Sequence, residues 1–519
     1  MKIFVDGHGT DWSHTDDSIC LSVDRWNDYS FVTQFGMSVR LKDGSVTQVG
    51  AVKIGFKGQT TALDTYQKLP QGHFGPLDSE FFSVGQDVSY YEALAELPAD
   101  KGREVLEALR DVVATPATLA EASSEKVFNN SLLRTVSLTS IKGQFSRAMK
   151  GLPKQTPFKF KFVRPATHER SAVDLTFKVK VASRPSTNVH ALIGRNGIGK
   201  TTLLNGMIDA IAGTKQAGEF RDLDSGDAPI GSGYFSSLVS VSFSAFDPFT
   251  PPLEQPDPSK GTCYHYIGLK SSESDRHLTI AELHSDCSAA LIQCLRHRKK
   301  RFRWLEAIDK LSSDENFERM RLTQFAEIFD DLLTKTTAEE EFSQRFIASV
   351  QPRIAQMSSG HAIILLTMTR LVATIEEKTL VILDEPESHL HPPLLSAFIR
   401  ALSDLLLDLN GVAIIATHSP VVLQEIPAAC VWKFDRFGDS LSTRRPSIET
   451  FAENVGQLTS EVFNLEVRQS GFHAMLQHDV EGGGTYEDIV DSYGDQLGVE
   501  GRTILGILIG ARDRKKASS

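Results

Sequence analysis

A glycine-rich segment carries the clearest chemical signal in the sequence. It reads Gly194, Arg195, Asn196, Gly197, Ile198, Gly199, Lys200, Thr201 and Thr202, and it fits the pattern G-x-x-x-x-G-K-T. An apolar segment, 190–193, precedes it, and a helical pattern, 203–212, follows it. Glycines let backbone amides turn towards phosphate oxygens, and the helix N-terminus adds the positive end of its dipole. The segment therefore predicts an ATP site in which Lys200 contacts the β- and γ-phosphates and Thr201 binds Mg²⁺.

A pair of carboxylates, Asp384 and Glu385, follows the apolar segment 380–383. Parallel α/β sheets bind their ligands at the carboxyl ends of the strands, which is where this pair is expected. By itself the pair is equally typical of an exposed acidic turn after a core strand. With the glycine-rich segment in the same chain, we expect Asp384 to hold Mg²⁺ and Glu385 to polarise the attacking water.

Two further segments complete the pattern. Ser358, Ser359, Gly360 and His361 precede an apolar helical segment, 362–372, and His418 follows the apolar segment 412–416. By itself a serine at this position is typical of a helix N-cap. Ser358 precedes Asp384, and His418 follows it, with room in each interval for one helix and one strand.

In their order and spacing, the four motifs resemble those of the ABC-type ATPases, the class that includes Rad50 and RecF. Residues 357–361 resemble the signature motif, with Ser358 on its serine, and His418 matches the switch histidine. Residues 387–392 resemble the D-loop region, where His389 and His391 are a weaker candidate for a metal site. The resemblance implies that the signature of one subunit caps the ATP held by another. The expected assembly is a head-to-tail homodimer or a higher even oligomer.

The sequence departs from that class at two points. ABC-type ATPases usually carry a glutamine at the end of the strand after the phosphate-loop helix, but the segment 239–247 contains none. Ser244 or Asp247 is a candidate for the role beside Mg²⁺. The aromatic residue that stacks on the adenine is not identified either, and Tyr29 and Phe31 are candidates.

Composition limits the class of protein. The net charge is −11, so nucleic acid cannot bind over the whole surface and would need a local basic patch. The five cysteines form no CxxC pair, which argues against a zinc finger or a disulfide framework and favours the cytoplasm. No apolar run approaches the roughly 18–20 residues that span a bilayer, so we expect no membrane association.

One dense basic run suggests such a patch. Its candidate nucleic-acid contacts are Arg296, Arg298, Lys299, Lys300, Arg301, Arg303 and Trp304. Basic side chains would contact phosphates, and the indole ring of Trp304 would stack on a base of DNA or RNA. The alternative is a solvated face balanced by nearby acidic residues such as those at 339–341.

The expected fold is α/β: an ABC-type P-loop ATPase head, with a mixed sheet flanked by helices, helical insertions and a mostly helical C-terminal segment. The predicted divisions are 1–61 as the N-terminal β part of the head, 62–150 as a helical insertion, 151–270 as the lobe with the phosphate loop, 271–350 as a helical insertion with the basic patch, 351–449 as the lobe with the signature, acidic pair and switch histidine, and 450–519 as a partner-docking segment.

Several segments outside the ATP motifs, namely 82–87, 241–247, 451–463 and 470–473, resemble PtuA, the ATPase family of Septu anti-phage systems, which also occurs with some retrons. The resemblance implies a separate HNH nuclease partner, PtuB-like, that the ATPase regulates or scaffolds, and a contact with DNA or retron RNA/DNA. No D-x-D pair follows His418, so nuclease activity is expected from the partner. The alternatives are a RecF/Rad50-like repair ATPase and an ATP-gated RNase toxin, for which His473 and His478 are the only candidates. Residues 450–519 dock the partner or pack on the chain's own head.

Overall fold

The computed structural model describes most of the chain. Its described residues are 1–519 without 7–14, 26, 28–29, 71, 99, 153–154, 168–170, 214–217, 232, 244–248, 258–259, 272–275, 337–338, 438–439, 470, 495 and 519. Three expectations fall outside this range: the Mg²⁺ candidates Ser244 and Asp247, and the adenine-stacking candidate Tyr29.

Residues 1–150 form an N-terminal α/β domain. Its strands are β1 (Lys2–Asp6), β2 (Ser18–Val23), β3 (Gln34–Arg40), β4 (Val46–Phe56), β5 (His73–Phe74) and β6 (Phe81–Gly85). Its helices are α1 (Thr65–Lys68), α2 (Val88–Ala95), α3 (Lys101–Ala108), α4 (Pro116–Ala122), α5 (Lys126–Asn130), α6 (Leu138–Ser140) and α7 (Ser146–Met149). The six strands make one sheet in the order β5-β1-β2-β3-β4-β6.

This domain replaces two of the predicted divisions. The strands of residues 1–61 pair with one another and with β6, not with the strands of the ATPase head. Residues 62–150 supply two strands of the same sheet, and their helices share one buried core with it, from Ile3 to Ala148. Residues 62–150 are therefore not a helical insertion in the head. Phe31, a candidate for stacking on adenine, lies in this core at 6% exposure.

The remaining strands and helices build the head and the C-terminal segment. The strands are β7 (Phe158–Arg164), β8 (Val173–Val179), β9 (Val189–Gly194), β10 (Glu219–Asp222), β11 (Ala228–Pro229), β12 (Ser237–Ser242), β13 (Cys263–Gly268), β14 (Leu380–Asp384), β15 (Val412–Thr417), β16 (Val431–Phe437) and β17 (Ser440–Arg444). The helices are α8 (Lys200–Ala212), α9 (Ile280–Arg296), α10 (Arg298–Leu311), α11 (Glu315–Arg319), α12 (Gln324–Lys335), α13 (Glu339–Ala355), α14 (Ser359–Thr374), α15 (Pro392–Asp408), α16 (Pro420–Gln424), α17 (Val455–Gln469), α18 (Gly471–Glu481), α19 (Tyr486–Ser492) and α20 (Val499–Ser518).

The head is organised around a seven-stranded sheet in the order β13-β12-β14-β15-β9-β16-β17. All neighbours are parallel except β16 and β17. The inner strands are apolar on both faces, as expected when helices cover both sides of a parallel sheet. On one face Leu380 and Ile382 pack with α8, and on the other Val381 and Leu383 pack with α14. This mixed α/β architecture confirms the predicted fold class.

A second, four-stranded antiparallel sheet, β11-β10-β7-β8, covers the α8 face of the head. At the other end of the chain, helices α18 to α20 share a small core of their own around Leu476 and Leu505. Helix α17 joins them to α16 of the head. The C-terminal segment is thus helical, as predicted, and within the described residues no helix has the length and apolar character that a membrane span requires.

The N-terminal domain is fixed to the head by buried polar contacts. Glu377, whose side chain is 1% exposed, accepts hydrogen bonds from the Arg147 guanidinium and from the backbone amide of Gln144. Arg303 donates to Asp408 of α15 at 2.6 Å and lies 3.7 Å from Asp87 of the N-terminal domain. A buried charge is costly to leave unpaired, so these pairs hold the two units in one arrangement.

Candidate active site

The glycine-rich segment forms a phosphate loop between β9 and α8. Gly197 and Gly199 adopt left-handed backbone angles, with φ of 74° and 100°, that side chains rarely allow. A Cβ on Gly194 would lie 2.8 Å from the backbone oxygen of Phe434, so this position is restricted by close approach of β16. Ile198 is buried and anchors the loop in the core. The N-terminus of α8 directly follows the loop, which is where anion sites commonly form.

Lys200 lies inside this loop. Its ammonium donates hydrogen bonds to the backbone oxygens of Gly194 at 2.9 Å and Arg195 at 3.1 Å, and its side chain is buried. Burial lowers the pKa of Lys200, against the opposing effect of Glu385, Asp384 and Glu387. A buried cation held by the loop's own carbonyl oxygens is suited to neutralise phosphate oxygens bound there.

The acidic pair stands at the carboxyl end of β14. Asp384 lies between Ser242 of β12 and Ala416 of β15 in the sheet register. The backbone amide of Glu385 donates to the oxygen of Ala416 at 2.9 Å, and Glu385 adopts a left-handed backbone with φ of 45°. Such a backbone is costly for a residue with a side chain, and such residues cluster at functional sites. The turn directs the chain sharply away after the strand.

His418 follows the adjacent strand, β15, and joins the acidic pair. Its Nδ1 lies 3.6 Å from Glu385 Oε1 and 3.2 Å from Glu387 Oε1. The interaction with His418 lowers the pKa of Glu385 although burial opposes it, and the interaction with Glu385 raises the pKa of His418 against burial. The two groups therefore favour an ionised pair.

Glu387 was not identified from the sequence as a site residue. One of its oxygens, Oε1, accepts from the Thr417 hydroxyl at 2.6 Å and from the His418 amide at 2.7 Å, and its side chain is only 7% exposed. Glu387 thus holds the turn that carries His418. Its place shortly after Asp384, in the segment that resembles the D-loop, was the available signal.

The signature segment begins α14. Ser358 is exposed and caps the helix, and its Oγ lies 2.5 Å from His361 Nδ1. His361 Nε2 is 3.0 Å from Asp314 Oδ1, and Asp314 Oδ2 is 3.0 Å from His391 Nε2. Burial opposes ionisation of Asp314, but the amide of Phe317 and the two histidines outweigh it and lower its pKa. One carboxylate therefore links the signature to the D-loop region.

Asp314 was also not predicted, because it lies between α10 and α11 with no local motif around it. The two histidines that it contacts belong to distant segments of the chain. His389 and His391 have different partners: His389 Nε2 lies 3.3 Å from the backbone oxygen of Phe243. Within the described residues no three His, Cys, Asp or Glu side chains gather as a metal site would need.

Close backbone packing explains why the signature carries a glycine at position 360. A Cβ at this position would lie 2.3 Å from the backbone oxygen of His389. The first turn of α14 therefore packs directly on the 3₁₀ turn Pro386–His389, which follows the acidic pair. This contact places the start of the signature helix next to the turn that follows the acidic pair.

The structure brings together three of the four predicted motifs. The phosphate loop, the acidic pair and His418 lie at the carboxyl ends of β9, β14 and β15, with β15 between the other two. The signature helix α14 packs on the opposite face of the sheet from α8. Among the described residues, Ser358 has His361 as its partner and no bond to the phosphate loop.

The chemistry of these groups fits Mg-ATP. Thr201 lies in the first turn of α8, and Asp384 ends β14 at the same edge of the sheet, so a hydroxyl and a carboxylate are available to hold Mg²⁺ at the rim of the phosphate loop. These are oxygen donors of the kind that Mg²⁺ prefers. The ion would supply positive charge that offsets the charge of the phosphates.

Most of the predicted nucleic-acid patch is not available. Trp304 is fully buried and donates from Nε1 to the Thr369 hydroxyl at 3.0 Å, so it is a core residue rather than a stacking platform. Arg301 makes a two-pronged pair with Asp330, at 2.6 and 2.7 Å. The other cations that bind within the chain are Arg296, which pairs with Glu339, Lys300, which donates to the Ala373 oxygen, and Arg303.

Two residues of the patch differ from the rest. Arg298 is exposed and Lys299 is half-buried, and neither has a hydrogen bond or ion pair to any described residue. The sequence could not separate these two from their neighbours, because helical packing turned the other cations towards acids distant in the chain. Among the cations predicted for this patch, Arg298 and Lys299 are the ones left to contact the phosphates of a nucleic acid.

A relative matches the chain over most of its length, and a family model matches part of it. Protein ea59 of Escherichia phage lambda is 49% identical over 502 residues, which cover 96% of this chain and 95% of the relative. A family model described as "AAA domain, putative AbiEii toxin, Type IV TA system" matches residues 302–424.

Solved structures with lower similarity include a putative metal-chelate type ABC transporter in an inward-facing conformation, at 14% identity with 60% of this chain and 90% of that chain covered and a TM-score of 0.30. They also include an ATP-binding cassette of an ABC transporter in its ADP conformation, at 13% identity with 60% and 99% covered and a TM-score of 0.30.

Proposed function

We propose that the chain, which belongs to the same family as protein ea59 of Escherichia phage lambda, is an ATP-hydrolysing switch that works as a pair of copies. The single observation that supports this proposal is the placement of the motifs. The phosphate loop, acidic pair and His418 share the edge at which β9, β14 and β15 end, whereas the exposed Ser358 begins α14, which packs on the face of the sheet opposite α8.

Because Ser358 has no bond to the phosphate loop of its own chain among the described residues, we propose that a second chain completes each site. In the proposed head-to-tail dimer, Ser358, Ser359 and Gly360 of one copy cap the ATP held by the phosphate loop of the other. ATP contacts both copies in the closed dimer and only one in the open state, so binding favours closure by that difference in affinity.

The proposed hydrolytic step uses the groups at the strand ends. Lys200 and the loop amides bind the phosphate oxygens, and Glu385 orients a water molecule in line with the γ-phosphorus. His418 contacts the γ-phosphate and exchanges its pairing with Glu385 and Glu387 for that contact. Loss of the γ-phosphate restores the original pairs and removes the bias towards closure.

The biological role that we propose is regulation of a nuclease supplied by a second protein. The Septu resemblance favours an HNH nuclease and an anti-phage setting in the cytoplasm. In support, the C-terminal helices have a small core of their own and are joined to the head through α17, so most of their surface remains available. Since the relative is a phage protein, competing phages are the targets that we propose.

The test combines three variants with the neighbouring genes. Glu385→Gln should bind ATP and accumulate as a dimer with turnover reduced at least about 100-fold, since a water-orienting group is lost. Lys200→Ala should lose ATP binding, and Glu341→Gln, on the exposed face of α13, is the matched control for a lost carboxylate. Dimerisation is measured by light scattering, and co-purified proteins are identified by mass spectrometry.

The outcomes separate the parts of the proposal. A Glu385→Gln protein that stays monomeric with saturating ATP would refute the dimer. Recovery of an HNH protein whose cutting changes with ATP supports the nuclease role. A lone dimer that hydrolyses ATP only with DNA would instead favour a RecF-like repair ATPase.

A second candidate is an ATP-gated toxin, because the matching family model is described as a putative toxin. His473 and His478 lie on α18, where an RNase centre would be expected. RNA cleavage by the purified chain alone, lost in His478→Ala but retained in the exposed control Gln477→Ala, would support this candidate over the first.

A further inference from the structure

We infer that the cleft between the N-terminal domain and α10 is a second nucleotide site, which binds a phosphorylated ligand with a nucleobase through Arg298, Lys299 and Phe302. The cleft has a volume of about 700 Å³ and lies between β3 and β4 on one side and the first turns of α10 on the other. Ligand sites commonly have volumes of about 300–1,000 Å³. None of its lining residues belongs to the ATP site.

The charge of the cleft favours a phosphate group. Arg298 and Lys299 line it without any described partner, in a chain whose net charge is −11. The two acids in the cleft already have partners: Asp24 accepts from the Gln34 amide at 2.7 Å, and Asp87 caps α2. The capping position of α10, His297, makes no side-chain cap, so the first amides of that helix add to the positive field.

An aromatic and an amide group favour a base. Phe302 is 57% exposed and lies one turn after Arg298, so both side chains project from the same side of α10. An exposed phenyl ring beside cations is the usual platform for base stacking. Across the cleft Gln34 is 4% exposed, and its Oε1 accepts no hydrogen bond from a described residue, although its Nε2 donates to Asp24. The oxygen is covered in this conformation, so a base can donate to it only after the Gln34 side chain turns towards the cleft.

The cleft is preformed and continues beyond one nucleotide. The pairs of Arg303 with Asp408 and Asp87, and the buried Trp304, fix α10 against the head and against the N-terminal domain. A second cavity of about 240 Å³ shares part of its lining with the first and extends past Arg134 and Arg370. A nucleotide within a single strand and a free nucleotide present the same phosphate and base, so the test distinguishes these sources.

Fluorescence anisotropy of a labelled single-stranded DNA hexamer of mixed sequence measures binding to the full-length protein. Arg298→Glu/Lys299→Glu should weaken binding at least about 10-fold and reduce the salt slope by about 1.4, which corresponds to two phosphate contacts on a single strand. Phe302→Ala should weaken binding about 5- to 100-fold through lost stacking. Arg319→Glu/Lys335→Glu makes the same change in charge on exposed residues outside the cleft and should stay within about 2-fold of the wild type.

Competition with dAMP identifies the source. Displacement of the hexamer by dAMP indicates a site for a free nucleotide, and no displacement indicates a site for the strand; both support the proposal. Absence of hexamer binding up to about 100 µM protein, or equal loss in the cleft and control variants, would overturn it. Because ATP turnover is not the readout, this result is independent of the proposed ATPase switch.

Discussion

Asp314→Ala tests whether the carboxylate between α10 and α11 positions the signature. Asp314 is 9% exposed and accepts from the Phe317 amide, His361 and His391. Loss of the helix cap costs about 0.5–2 kcal/mol, and each histidine bond contributes about 0.5–1.5 kcal/mol. We therefore expect the free energy of unfolding to fall by about 3 kcal/mol.

Asp314→Ala should also weaken ATP-dependent dimerisation, by an amount distinct from the loss of stability. Without Asp314, His361 no longer has a fixed orientation, and it no longer fixes the hydroxyl of Ser358. A symmetric dimer contains two such signatures, so at about 1 kcal/mol each the dimer would lose about 2 kcal/mol, or roughly 30-fold in affinity. ATP binding to one chain should change by less than about 2-fold, because Ser358 has no bond to the phosphate loop among the described residues and α14 packs on the face of the sheet opposite α8.

The assay is ATP-dependent dimerisation in the Glu385→Gln background, measured by sedimentation, beside the affinity of the monomer for a fluorescent ATP analogue. Thr279→Ala is the matched control, since it removes the N-cap of α9 in the same helical region without touching the signature. Unchanged dimerisation in Asp314→Ala, or an equal loss in Thr279→Ala, would refute the positioning role.

Three further perturbations test the remaining contacts. Gly360→Ala places a Cβ 2.3 Å from the His389 oxygen, so we expect about 1–3 kcal/mol lower stability and weaker dimerisation, with Gly231→Ala, in open space, as the control in denaturant titrations. Glu377→Ala leaves Arg147 and the Gln144 amide without their acceptor and should lower the free energy of unfolding by about 3–5 kcal/mol. Limited proteolysis should then cut the domain junction faster than in the wild type, and an unchanged cleavage rate would contradict this. The ionised Glu385–His418 pair contributes its full stabilisation only above the ordinary pKa of a glutamate and below the ordinary pKa of a histidine. That stabilisation is lost as pH rises through the raised pKa of His418, and it is also lost as pH falls through the lowered pKa of Glu385. The difference in unfolding free energy between wild type and His418→Ala should therefore be largest near pH 5–6 and shrink towards pH 8.5, whereas a difference that grows with pH would exclude the pair.

Local sequence patterns were sufficient to predict much of the head. The phosphate loop, the strand before Asp384 and the strand before His418 each have a length and apolar character that depend on their own residues, and each forms as predicted. Residues 1–61 were expected in the head and residues 62–150 in a helical insertion, but together they form one separate six-stranded sheet. An alternating strand such as β3 shows that one face is buried but does not show which strand covers its edge.

The residues of the candidate site likewise divide into those that local patterns predict and those that depend on tertiary packing. Lys200, Glu385 and His418 follow buried strands, so their convergence at one edge was predictable from parallel topology. Asp314 and the pairing of Arg301 with Asp330 depend on how helices pack across the head, which no short segment encodes. Trp304 shows the same limit, because an aromatic residue beside cations looks identical in sequence whether it stacks on a base or fills a core.

The order of strands in the central sheet has a consequence for synthesis. The phosphate-loop strand β9 begins at Val189, but it pairs with β15 and β16, which begin only at Val412 and Val431. At about 5–20 residues per second, the ribosome needs roughly 10–45 s to supply those neighbours. The N-terminal domain draws its whole sheet and core from positions 1–150 and can fold during that interval. A nascent chain that stops before β15 therefore carries the glycine-rich segment without the sheet that shapes it, and nucleotide binding arises only late in translation.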